Sequence, residues 1–292
     1  MKISSALLIT MFSIVVASLN AQQLNGLKLL NDKRIEIYYS AEQEQRARSI
    51  AGYAGEANDF FIQLLKFKPQ IKILVLSETD WSKHTNFPVY GMPHYKDDKT
   101  LIVASSDNDF WRSFLPPLDQ MPPELAEKVR KAYTVNNKLT MQPFFDLLAL
   151  HELGHSFHLQ AGLTMQRKWM GELFSNMMLH TFIAEKHPEL LPALTAFPQM
   201  VVGSGPTGFQ FTTLTELENN YTLIATKHPQ NYGWYQCKLH EAARRIYDQA
   251  GKSALTNLWK SLMDTTPLTD EQLLQMLNDK VHSSVADVMR QW

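Results

Sequence analysis

The sequence predicts an α+β fold, with an N-terminal mixed sheet and its helices followed by a helical lobe built around one long central helix. Compact β-prone runs are confined to residues 34–104, and from Pro143 onward the apolar spacing is almost wholly helical. Strands segregated from helices in this way indicate α+β rather than an alternating, doubly wound sheet. Of the 292 residues, 45% are hydrophobic, which supplies a sizeable core and excludes disorder as the default state.

The N-terminus reads as an address. Lys2 supplies a positive start, residues 6–17 are a mostly apolar run, and the stretch ends in Ala21 before Gln22. This predicts a secretory signal peptide cleaved after Ala21 and a secreted or periplasmic protein. The run is shorter than the ~20 residues of a membrane-spanning helix, and no cysteine follows it to carry a lipid, so no stable membrane anchor is expected.

Residues 22–142 form the expected α/β lobe. Residues 34–39 alternate and are β-prone, 41–66 are helical, and 71–76 and 100–104 are compact apolar strands. Residues 106–140 carry Pro116, Pro117, Pro122 and Pro123, which predicts loop and one short helix over 123–133. The helical lobe, 143–292, is expected to comprise helices over 143–160, 168–185, 213–226, 234–250, 252–263, 270–279 and 283–291. A glycine-rich break falls at 203–208.

Charge and cysteine usage narrow the function. With 28 Lys+Arg against 29 Asp+Glu there is no broad positive field, so a nucleic-acid partner is not expected. The single cysteine, Cys237, excludes an internal disulfide and a cysteine-rich zinc module, so a metal would be held by His, Asp and Glu.

The central helix contains His151-Glu152-Leu153-Gly154-His155, an HExxH motif. Residues four apart lie on one helical face, so both imidazoles can reach one metal ion while Glu152 projects beside it toward a water. Random placement in this composition yields the motif only about 0.02 times per chain. A catalytic zinc needs three protein ligands and an open position. The metzincin pattern fails, because His158 stands where it has glycine and Ala161 where it has the third ligand. His158 shares the face of the first two histidines, but three consecutive turns of a straight helix cannot surround one ion, which leaves it a surface or supporting position. Glu172, in Trp169-Met170-Gly171-Glu172-Leu173-Phe174, is the better candidate. An antiparallel return after Ala161-Gly162 brings the start of the next helix opposite the histidines, and a carboxylate in so apolar a segment needs a partner. The competing reading is a solvated glutamate at a helix start. Asn176, one turn on, is placed to hydrogen-bond a ligand imidazole.

HELGH followed by a glutamate in a second helix resembles the gluzincins, the thermolysin- and aminopeptidase-like zinc metallopeptidases, in their compact peptidase MA-like form. The W-x-x-E-x-F phrase at 169–174 is similar to the aminopeptidase version of the third-ligand segment. Asn176 occupies the place where thermolysin-like enzymes carry an acid. The resemblance covers residues 140–292, and the N-terminal strands only in order and type. It implies a zincin-like fold with one zinc on His151, His155 and Glu172. It further implies Glu152 as general base, and an oxyanion donor at Tyr232 or Tyr235 in Tyr232-Gly233-Trp234-Tyr235. It also implies an edge strand near Tyr90-Gly91-Met92-Pro93 along which an extended peptide binds, although these residues read equally well as a plain turn.

The expected function is therefore zinc-dependent hydrolysis of a peptide or protein substrate. Two alternatives stay open, an inactive zincin-like binding protein and a zinc hydrolase of a non-peptide amide or ester.

Overall fold

The computed structural model describes residues 24, 26–115, 117–263 and 265–292, so the expected signal peptide at 1–21 lies outside the described residues. The fold is α+β. Strand β1 (Lys28–Leu30) leads to β2 (Glu36–Tyr39), and helix α1 (Glu44–Leu65) crosses over to β3 (Lys72–Leu76). After α2 (Glu78–His84) come β4 (His94–Tyr95) and β5 (Thr100–Ala104). The sheet order is β1-β2-β3-β5-β4, with β2, β3 and β5 parallel and both edge strands antiparallel. The three parallel strands coincide with the predicted apolar runs because strands covered on both faces are continuously hydrophobic. In register, Ile37, Ile73 and Leu101 form one fully buried row across them. The edge strands β1 and β4, three and two residues long, lack a pattern that sequence periodicity can register.

Residues 105–141 are more structured than expected. Beyond α3 (Asp109–Arg112) and the predicted α4 (Pro123–Tyr133), strands β6 (Thr134–Val135) and β7 (Lys138–Leu139) form a hairpin. Its turn residues Asn136 and Asn137 both have positive φ, 50° and 60°, which asparagine tolerates and a two-residue hairpin turn requires.

The hairpin delivers the chain into α5 (Gln142–Gln160), which carries HExxH, and α6 (Lys168–Lys186) returns against it. Gly162, at φ +68°, ends α5 with the Leu163 N–H donating to the His158 carbonyl, a left-handed helix cap. The next helix, α7 (Leu191–Gly203), is absent from the sequence expectation because Pro198 lies inside it. A tertiary contact sustains it: the Tyr133 hydroxyl stands between the Phe197 N–H, from which it accepts, and the Ala193 carbonyl, to which it donates. Local periodicity cannot report a bond supplied from 60 residues away.

Helices α8 (Leu214–Lys227), α9 (Pro229–Ala250), α10 (Lys252–Leu262), α11 (Asp270–Met276) and α12 (Ser283–Arg290) complete the lobe, with a π-helical turn over Leu277–Val281. Helix α9 begins at Pro229, five residues ahead of expectation, because a proline in the first helical turn sacrifices no hydrogen bond. Buried apolar residues run without interruption from the sheet into the helical lobe. Phe61 of α1 meets Phe157 of α5 and Phe182 of α6 at that junction, with ring centroids 5.8 and 6.1 Å apart. Among the described residues, no helix is long and apolar enough to cross a membrane.

Helices α5 and α6 touch through backbone. A Cβ built at Gly154 would lie 2.8 Å from the Ser175 Cα, closer than real atoms approach. Gly154→Ala gains about 1 kcal/mol of helix propensity but forces the helices apart, at about 1–3 kcal/mol for overpacking. The variant is expected to unfold at lower denaturant concentration than wild type, and a raised midpoint would show that the close approach does not constrain the pair.

Candidate metal centre

Helix α5 presents His151 and His155 on the side that faces α6, and α6 presents Glu172 and Asn176 one turn apart on the side that faces back. One ligand atom from each of His151, His155 and Glu172 lies within 4.8 Å of the others. The two Nε2 atoms are 3.1 Å apart, and Glu172 Oε2 is 3.2 Å from the Nε2 of His151 and 3.5 Å from that of His155. Two imidazole nitrogens and one carboxylate oxygen facing a common point are, once the imidazoles give up their Nε2 protons in favour of a cation, the donor set of a zinc site with an open position. The residues present therefore fit a divalent metal.

Each donor is held from behind. His151 Nδ1 lies 2.9 Å from Asn176 Oδ1, the contact expected of Asn176. With Oδ1 accepting, Nδ1 carries the proton and Nε2 is left as the metal-facing lone pair. His155 Nδ1 lies 3.0 Å from His158 Nε2. His158 is thus not a surface residue: it is buried, wedged between α5 and the ring of Phe174 on α6. For His155 Nε2 to face a metal unprotonated, its Nδ1–H must donate and His158 must be a neutral acceptor. Burial, reinforced by the neighbouring His155, lowers His158 to about 3, which keeps it neutral. Glu172 Oε1 accepts from the Tyr221 hydroxyl, and the Tyr232 hydroxyl lies 3.5 Å from the same oxygen.

The electrostatics favour a cation. Burial opposes charge on Glu172, yet His155 and His151 hold its carboxyl well below the ordinary range. Burial would likewise lower His155, but Glu172 carries it up to about 9. The site is a buried anion gathered by imidazoles, where a divalent cation can replace a proton. Glu152 is half-buried on the same turn. Burial raises its carboxyl, His155 and His151 pull it down, and Glu172 pushes it up again.

The two tyrosines part company. Tyr232 reaches the cluster, whereas Tyr235 does not join it: its hydroxyl donates to the Thr213 carbonyl at 2.9 Å and its ring stacks on Trp292. Tyr221 of α8 carries no sequence signal: nothing in Asn219-Asn220-Tyr221-Thr222 marks an aromatic bound for a carboxylate 49 positions away. Residues 90–93 form the turn that enters β4, with Gly91 at φ +107° and its carbonyl accepting from the Trp111 indole. The Tyr95 phenol of β4 is buried beside Ser156 and Glu152.

No known protein-family model matches the chain, and no curated protein matches it in sequence.

His158→Ala and Asn176→Ala each remove the group bonded to the Nδ1 of a candidate donor imidazole; if the cluster holds zinc, each is expected to weaken its binding about 10- to 100-fold without abolishing it. Metal content after equilibration at graded free zinc reads this out. Wild-type affinity in both variants would refute the orienting role.

Proposed function

We propose that this protein is an exported zinc-dependent hydrolase of the gluzincin type that cleaves peptide bonds. The observation that carries the reading is the convergence of His151 Nε2, His155 Nε2 and Glu172 Oε2 on one point, with Glu152 on the same helical turn. A zinc ion held there would supply a water of lowered pKa and polarise the scissile carbonyl.

The chain's own groups account for the rest of the reaction. Glu152 accepts the proton of the attacking water at its carboxylate. Water oxygen bonds to the carbonyl carbon, the carbon–nitrogen bond breaks, and Glu152 returns the proton to the departing amine. Tyr232 donates from its phenol to the oxygen that gains charge, a duty for which burial suits it by keeping the phenol protonated. A peptide substrate is favoured over another amide or ester by β4, one of the two edge strands of the sheet, which among the described residues pairs with β5 alone and so offers an edge to an extended chain. Tyr95 of that strand reaches the helix that carries Glu152.

Purified protein is expected to hold about one zinc per chain and to hydrolyse members of a peptide library until chelator is added. Glu152→Gln should retain the metal and lose about 10²- to 10⁴-fold in turnover, because an amide cannot take the water's proton. Zinc-free wild-type protein after refolding with zinc would end the metal reading. Metal bound with no turnover of any peptide would favour the non-catalytic binding protein. Export is read from residues 1–21, and N-terminal sequencing of secreted material should begin at Gln22; an intact Met1 would refute it.

A further inference from the structure

The two oxygens of Glu172 keep different company. Oε2 faces both imidazole Nε2 atoms, whereas Oε1 accepts from the Tyr221 hydroxyl. The Tyr221 and Tyr232 hydroxyls are 3.0 Å apart, and Tyr232 stands 3.5 Å from Oε1. Each phenol has one proton to give. With the Tyr221 proton committed to Oε1, the Tyr221 oxygen is the nearer acceptor for Tyr232. The pair is therefore unequal: Tyr221 is bound to the carboxylate, and Tyr232 holds a bond it can exchange for a substrate oxygen.

The backbone of α8 departs from helical geometry beside this contact. Asn220 leaves helical geometry, at φ −118° and ψ 18°, immediately before Tyr221, and its side-chain amide donates to the Glu216 carbonyl. Glu218, on the same helix, accepts from the Lys168 N–H at the start of α6, and Lys168 Nζ donates to the Glu218 carbonyl. Helix α8 is thus fastened to the first turn of the helix that carries Glu172, with its bend beside the tyrosine.

We propose that Tyr221 is a positioning residue that clamps Oε1 of Glu172, so that the carboxylate presents a single oxygen, Oε2, to the point the imidazoles share. The terminal torsion of a glutamate is broad, and a carboxylate free at both oxygens must be ordered when it binds. Tyr221 does that ordering in advance. The clamp rests on the metal centre described above and adds to it a residue and a division of labour between two phenols.

Full-length protein stripped of metal is titrated with zinc against a chromogenic chelator, as wild type, Tyr221→Phe, Tyr232→Phe and Glu172→Ala. Tyr221→Phe is expected to raise the zinc Kd about 10- to 100-fold. Tyr232→Phe should leave the Kd close to wild type, and Glu172→Ala should bind zinc least of all. Thermal melting with and without zinc gives a second readout. The zinc-induced rise in Tm should shrink in Tyr221→Phe, whereas a merely structural hydroxyl would lower the Tm of the metal-free protein and leave the rise intact. Tyr221→Leu also removes the hydroxyl and carries the same expectation should the Phe variant fail to fold. A wild-type Kd in the Tyr221 variants, in a protein whose Glu172→Ala variant loses zinc, overturns the clamp and leaves the metal centre standing. Zinc that does not bind wild-type protein overturns the centre itself, and the clamp with it.

Discussion

The backbone contact between Gly154 of α5 and Ser175 of α6 is the constraint on which the centre depends. Two of the candidate donors come from one helix and the third from its neighbour, so the separation of the helices sets whether the three atoms can share a point. Gly154 lies between His151 and His155, and Ser175 lies between Glu172 and Asn176. The contact therefore falls within one turn of every donor. A glycine in mid-helix costs about 1 kcal/mol relative to alanine, and the local cost is offset by an approach that no other residue allows. Packing carries the geometry here, and geometry carries the chemistry.

The polar groups around the donors follow one logic, in which every ligand has its second atom occupied: His151 by Asn176, His155 by His158, and Glu172 by Tyr221. The arrangement passes its unsatisfied atoms outward. Asn176 Nδ2 and His158 Nδ1 are buried and have no hydrogen-bond partner among the described residues, one step further from the centre. Histidine as the support of a ligand histidine differs in one respect from a carboxylate in that role. It accepts the hydrogen bond without bringing a further carboxylate beside Glu172 and Glu152.

How much of this was legible in the sequence follows from the range of the interactions. Residues 72–76 and 100–104 declare themselves because a strand buried on both faces is apolar throughout. HExxH is legible because its residues lie within one helical turn, and Glu172 because a seven-residue connection returns α6 to α5. Helix α7 is illegible because Pro198 signals a break locally, while the Tyr133 hydroxyl that bridges its backbone arrives from another helix. Tyr221 is illegible for the same reason. Tyr232 and Tyr235 are three residues apart on α9, so a modest rotation of the helix decides which one faces Glu172, and no local pattern encodes that rotation. The registration is tertiary: Tyr235 is held to the Thr213 carbonyl, which leaves Tyr232 turned to the site.

That registration reaches further than one hydrogen bond. The segment entering α8 is pinned at three successive residues: Asn231 bonds both the N–H and the carbonyl of Phe211, the Trp292 indole donates to the Thr212 carbonyl, and Tyr235 donates to that of Thr213. Lys238 lies 4.2 Å from the Trp292 ring centroid and so holds the indole in place through a cation–π contact. Thr213 then opens α8 with a capping box to Glu216, Glu218 ties α8 to the first turn of α6, and Tyr221 meets Glu172. Each link is polar and directional, so the register of α8 is fixed by hydrogen bonds where hydrophobic packing alone would tolerate a slide. A carboxylate that must meet two imidazoles to within a few tenths of an ångström needs that kind of restraint, and the helical lobe supplies it from as far as 120 positions away in sequence, from Trp292 back to Glu172.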